Sequence, residues 1–145
     1  MSKLCTFSIG NHACALDVNV VREVIRPRAP TPVPHAPEGV VGLVALRGQV
    51  LTAVDLGPRL GDDTRTDAPY GIVVAYGDTV FCLLADQVGQ VGEAKDERVE
   101  PPPASLDPAL CDLVAAAYRA PRTLYLVLRP DAILDVTACP AATCE

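Results

Sequence analysis

Side chains capable of chemistry are few and scattered along this 145-residue chain. Serine occurs only at Ser2, Ser8 and Ser105, and no G-x-S-x-G elbow raises a hydroxyl toward a base, so nucleophilic acyl transfer has no candidate arrangement. His12 sits beside a turn and His35 in a proline-rich stretch, places where a lone imidazole is ordinarily solvated. Neither G-x-G-x-x-G nor G-x-x-x-x-G-K-(S/T) occurs, which removes the usual phosphate cradles. The neighbouring carboxylates Asp62 and Asp63 fall in the polar run from Gly61 to Asp67, which reads as a solvated link. Six cysteines form no C-x-x-C pair. Cys5, Cys14 and Cys82 lie in apolar strand patterns and read as small core residues, kept reduced in the absence of a secretion signal. Cys139 and Cys144, with His12 or His35, offer only weak spacing for a metal. The expectation is a chain without catalytic residues, cofactor or metal ion.

Binding chemistry is better represented, at Arg47. Two apolar runs, Val40 to Leu46 and Val50 to Val54, fold back on Arg47-Gly48, where Gly48 supplies the positive φ of a tight reversal. An arginine at a bend beside apolar surface is either a solvated turn residue or a contact for a partner. Two further hairpins follow the same logic: Leu4 to Gly10 with Ala13 to Leu16 around Gly10-Asn11, and Ile72 to Tyr76 with Val80 to Ala85 around Gly77-Asp78. The second strand of each hairpin runs into an aspartate, Asp17, Asp55 or Asp86, followed by helix-like spacing, so these carboxylates read as caps on free backbone N–H groups. After Asp17 the positions Val20, Val21, Val24 and Ile25 predict a helix of one or two turns. Five prolines between Pro27 and Pro37 predict an extended loop, and Pro101 to Pro103 end a stretch of regular structure. Thr123 to Leu128 reads as a late strand, followed by a helical turn from Pro130 to Leu134. Short strands with little helix predict an all-β fold closed into barrels, because closure hides strand edges.

Composition bounds the partners. Half the residues are apolar, enough for a real core in one domain, or in two small subdomains sharing a core. A net charge of −6 and the absence of Trp oppose nucleic acid. No apolar run reaches the roughly 18–20 residues that span a bilayer, and the N-terminus lacks a basic n-region, so a cytoplasmic protein without direct membrane insertion is expected.

Four segments in order resemble the CheW-like family of bacterial chemotaxis coupling proteins: Val21-Arg-Glu-Val24, the proline-spaced Pro32 to Gly39, Gly42 to Leu56 with its Leu-Arg-Gly centre, and Val80 to Val91. The likeness runs from about Phe7 to about Leu134. It implies two small pseudo-symmetric five-stranded β-barrels sharing a hydrophobic core, with short helical turns, in one domain over residues 1–145. Its halves would be about 15–66 and 67–130, with terminal segments exchanged between barrels. It also implies a non-enzymatic adaptor that bridges the cytoplasmic tip of a methyl-accepting chemoreceptor to the regulatory domain of a CheA-type histidine kinase, associated with the inner-membrane array through these partners. Pathways for pili, gliding or second messengers are the alternative, and a metal-binding module a remoter one.

Carried over residue by residue, Glu23 matches the family's V-x-E-(V/I) glutamate, Val21 the apolar place before it, and Arg47 with Gly48 the arginine and glycine of N-L-R-G. An intramolecular Glu23–Arg47 pair is the structural alternative, compatible with a role in binding. Val40, Val41, Leu43 and Val44, with Val88 and Val91, are candidates for an apolar groove, although a valine-rich stripe is more often core than interface. Ala45 replaces the family's asparagine, Thr52 its proline, and Leu113 to Ala117 a stretch that commonly carries glycines.

Overall fold

The computed structural model describes residues 3–27, 30–36, 39–60, 68–93, 98–104 and 112–133. The three expected hairpins are present: β1 (Lys3–Ile9) with β2 (His12–Asp17), β4 (Val40–Leu46) with β5 (Gln49–Val54), and β6 (Tyr70–Tyr76) with β7 (Thr79–Ala85). The turn between β4 and β5 differs from the other two, because Arg47 and Gly48 both have positive φ, 50° and 82°. That is a type I′ reversal, whose twist matches the strands it joins.

The remaining strands are β3 (Val21–Ile25), β8 (Gln87–Glu93), β9 (Val99–Glu100), β10 (Val114–Arg119) and β11 (Leu124–Leu128). They complete two mixed sheets, one in the order β8-β1-β2-β11-β10-β9 and one in the order β3-β6-β7-β5-β4. In each sheet an edge strand pairs with a hairpin, and that hairpin joins a second one through a single parallel contact, β2 with β11 and β5 with β7. The two orders differ only by β9, so one sheet has six strands where five were expected. The added strand is two residues long and runs into Pro101.

Alternation sorts the side chains into separate cores. Ile72, Val74, Phe81 and Leu83 of the five-stranded sheet pack against Phe7, Ile9, Cys14 and Leu16 of the six-stranded one, which makes a shared core between the sheets. The opposite faces of β6 and β7 carry Val73, Cys82 and Leu84, which pack with Val44, Leu51 and Ala53 inside the five-stranded sheet. A smaller cluster of Leu4 and Ala15, with Tyr118, Tyr125 and Val127 against it, lies inside the six-stranded sheet.

Two local expectations are corrected. Only Val18–Val20 is helical after Asp17, as a 3-10 turn capped by a 2.9 Å bond from the Asn19 N–H to Asp17 Oδ1. Val21 to Ile25 is a strand, because its β-branched residues alternate in burial and pair with β6. Asp86 likewise precedes strand β8, and its Oδ2 accepts from the Gly10 N–H at 2.5 Å, pinning the β7–β8 junction to the β1–β2 turn. Asp55 is buried, and its Oδ1 accepts from the Gly57 N–H at 2.8 Å, a turn bond that precedes the 3-10 turn at Pro58–Leu60. Thr52 lies in a strand with neighbours on both sides, opposite Leu43 and Phe81. A helical turn covers 130–133, and Leu134 lies outside the described residues, as do the Gly61–Asp67 link, Cys111 and the tail with Cys139 and Cys144. Among the described residues no helix is long and apolar enough to cross a membrane.

Candidate functional site

Glu23 lies on β3 and Arg47 in the turn after β4, and β3 and β4 are the two edges of the five-stranded sheet. The two side chains nevertheless meet. Arg47 Nη1 donates to Glu23 Oε2 at 2.6 Å and Nη2 to Oε1 at 2.7 Å, the planar fork that only a guanidinium makes with a carboxylate. The left-handed backbone at Arg47 and Gly48 aims the side chain across the gap. The hydrogen bonds from Arg47 hold the Glu23 carboxyl below the ordinary glutamate range, and the same bonds push the Arg47 guanidinium above its own ordinary value. The pair stands at the surface, with 71% of the Arg47 side chain exposed and 31% of Glu23.

Farther along β4 a second link crosses the same gap. Thr31 exchanges two 2.8 Å backbone hydrogen bonds with Leu43, and Gly42 makes this approach feasible, since a Cβ there would stand 2.2 Å from the Thr31 carbonyl oxygen. Between the two links is a cavity of about 380 Å³ lined by residues that include Ile25, Arg26, Leu43 and Leu46.

The other sequence-derived candidates separate. Val44 is a core residue, 5% exposed, inside the five-stranded sheet. Val21 and Val88 are both half-buried against the core between the sheets, one from β3 and one from β8. Val91 stands on edge strand β8 and is 52% exposed. Gly48 is at the surface beside Arg47. Val50, 64% exposed, and Val24, 41% exposed, were not singled out from the sequence. Parity was the available signal for Val50, which neighbours the inward Leu51 on β5 and must point the other way.

The buried thiols are unsuited to reaction. Burial pushes Cys14 up to about 12 and Cys82 to about 11, and raises Cys5 as well, so thiolate is scarce at neutral pH. Among the described residues no group of three or more His, Cys, Asp and Glu is placed to hold a metal ion. What the surface gathers is an ion pair, exposed valines and open strand edges, which suit the binding of another protein.

Comparison with known proteins agrees with that chemistry. Residues 3–138 match the family model described as CheW-like domain. A relative in Rhizobium meliloti named chemotaxis protein CheW is 34% identical over 103 residues, covering 70% of this chain and 66% of that protein, just under two thirds of its length. The chemotaxis protein CheW of Bacillus subtilis is 24% identical over 135 residues, covering 92% of this chain and 86% of that one. The crystal structure of the scaffolding protein TtCheW from Thermoanaerobacter tengcongensis superposes with a TM-score of 0.76 at 25% identity, over 88% of each chain.

Proposed function

The chain belongs to the CheW-like domain family, and on that premise we propose that it is a non-enzymatic adaptor of a chemosensory array, coupling chemoreceptors to a CheA-type histidine kinase. The observation that supports this reading is the family match together with the surface-exposed Glu23–Arg47 fork. An adaptor of this kind signals through geometry: it holds two partners in register, and a stiff two-sheet core keeps their separation fixed. Val21, Glu23, Arg47 and Gly48 form one part of the contact surface in this reading, and Val88 and Val91 on β8 another. Val44 supports that surface from within the core. Each sheet is taken to curl as a small barrel, and the protein to work in the cytoplasm, held at the inner membrane by its partners.

Binding of the purified chain to the receptor-tip fragment and to the kinase regulatory domain from the same genome, each alone and then together, tests this reading. Saturable binding to both supports it. A folded protein that binds neither overturns it.

A further inference from the structure

On the side turned away from the shared core, the two sheets are filled differently. In the five-stranded sheet that side is packed with Val44, Leu51, Val73 and Leu84, each 5% exposed or less. In the six-stranded sheet the buried cluster there is only Leu4 and Ala15. Alternation puts Thr6 and Ser8 on the face of Leu4, and Ala13 on the face of Ala15. Small and hydroxylated side chains therefore stand where the other sheet has branched apolar ones. The space they leave is two adjoining cavities of about 340 and 220 Å³, both lined by Thr6, Gly89 and Tyr125. Together they form a trough between edge strand β8 and the tyrosines of the β10–β11 hairpin.

Its walls select a ligand. Tyr118 and Tyr125 stand directly opposite each other on β10 and β11 and pack against Leu4 and Ala15, so one wall is two half-buried phenol rings. The other wall is backbone of β8, which pairs on one side only, with β1. A Cβ on Gly89 would stand 2.4 Å from Thr6 Oγ1, whereas one on Gly92 would meet nothing within 4 Å. Thr6 donates its hydroxyl proton to the Gln90 carbonyl at 3.2 Å and so presents its lone pairs as acceptors. The Tyr125 hydroxyl has no hydrogen-bond partner among the described residues. Glu93 at the rim stands opposite Lys3 in the β1–β8 register, and Lys3 alternates with Leu4, so the carboxylate is directed out of the trough. A charged ligand would find no counter-charge here, and a purely apolar one would strip water from the hydroxyls without replacing it. The volumes lie at or below the small end of ligand pockets, roughly 300–1,000 Å³. We propose that the trough binds a neutral monosaccharide ring, with its C–H face on Tyr118 and Tyr125 and its hydroxyls on Thr6, Tyr125 and the unpaired backbone of β8. This site is additional to the adaptor reading and does not depend on it.

Saturation-transfer NMR of the full chain with methyl β-D-glucopyranoside, and separately with its galactose epimer, tests the site. The wild-type chain should bind at least one of the two with a Kd of about 1 mM. Gly92→Leu directs a side chain into the open space without striking a neighbour, so it should abolish binding while circular dichroism shows the fold retained. Tyr125→Phe keeps the ring and removes the hydroxyl, and should weaken binding about fivefold. If Gly92→Leu does not fold, the amide resonances of Gly89 and Gly92 in the wild-type chain replace it, and both should shift on titration with the glycoside. Absence of binding to either glycoside overturns the proposal. So does binding that persists in folded Gly92→Leu, or shifts confined to other strands; each of these leaves the adaptor reading untouched.

Discussion

Arg47 and Glu23 contact each other through two short hydrogen bonds while both remain open to solvent, so their value lies in shape more than in stability. Arg47→Glu should therefore leave the fold intact, place two carboxylates face to face, and weaken partner binding by about tenfold or more; calorimetric titration of the folded variant checks this. Exchanging the two residues, Glu23→Arg with Arg47→Glu, should recover part of the loss. Because Arg47 lowers the Glu23 carboxyl, the pair's contribution is complete above the ordinary glutamate range and fades only as pH falls through the lowered value. Arg47 is raised, so its side of the pair is lost only as pH rises through a value above the ordinary guanidinium range. Partner affinity should accordingly be flat between about pH 6 and 9 as far as this pair is concerned, and a measured midpoint near neutrality would point to another group. Gly48 at φ 82° tolerates a side chain poorly, so Gly48→Val should cost about 2 kcal/mol, visible as a lowered thermal midpoint. The sequence located this turn and both charged residues; it left open whether they pair, because 24 residues separate them and they belong to strands at opposite edges of the sheet.

At the scale of elements, turn chemistry made the three hairpins legible, while pairings between distant strands were hidden. Val21 to Ile25 matches a helical period and a strand period equally well on paper, and pairing with β6 decides for the strand. Asp86 likewise has the composition of a cap, yet its partner is the Gly10 N–H, 76 residues away. The valine-rich β4 shows the same limit: Val44 and Leu43 are chemically alike neighbours, one 5% exposed and the other 37%, and only parity against the core separates them. Val44→Asp should unfold the protein, since burying an unpartnered carboxylate costs several kcal/mol, roughly the whole stability of a small domain; loss of the far-ultraviolet strand signal is the readout. Gly42→Ala places a methyl against the Thr31 carbonyl and should break the Thr31–Leu43 pair. Faster hydrogen exchange at the Leu43 amide, with the β6–β7 hairpin still protected, is the expected result.

For the whole molecule, the order of strands repeats around one parallel contact in each sheet, β2 with β11 and β5 with β7. The shared core of Phe7, Leu16, Ile72 and Phe81 joins the two sheets. The bridging claim is tested most directly by immobilising the receptor-tip fragment and asking whether the kinase regulatory domain is retained only when this chain is added. Retention that depends on the chain, and that Arg47→Glu diminishes, is the predicted result. Equal retention with and without the chain, under conditions where the chain is folded, would contradict the account.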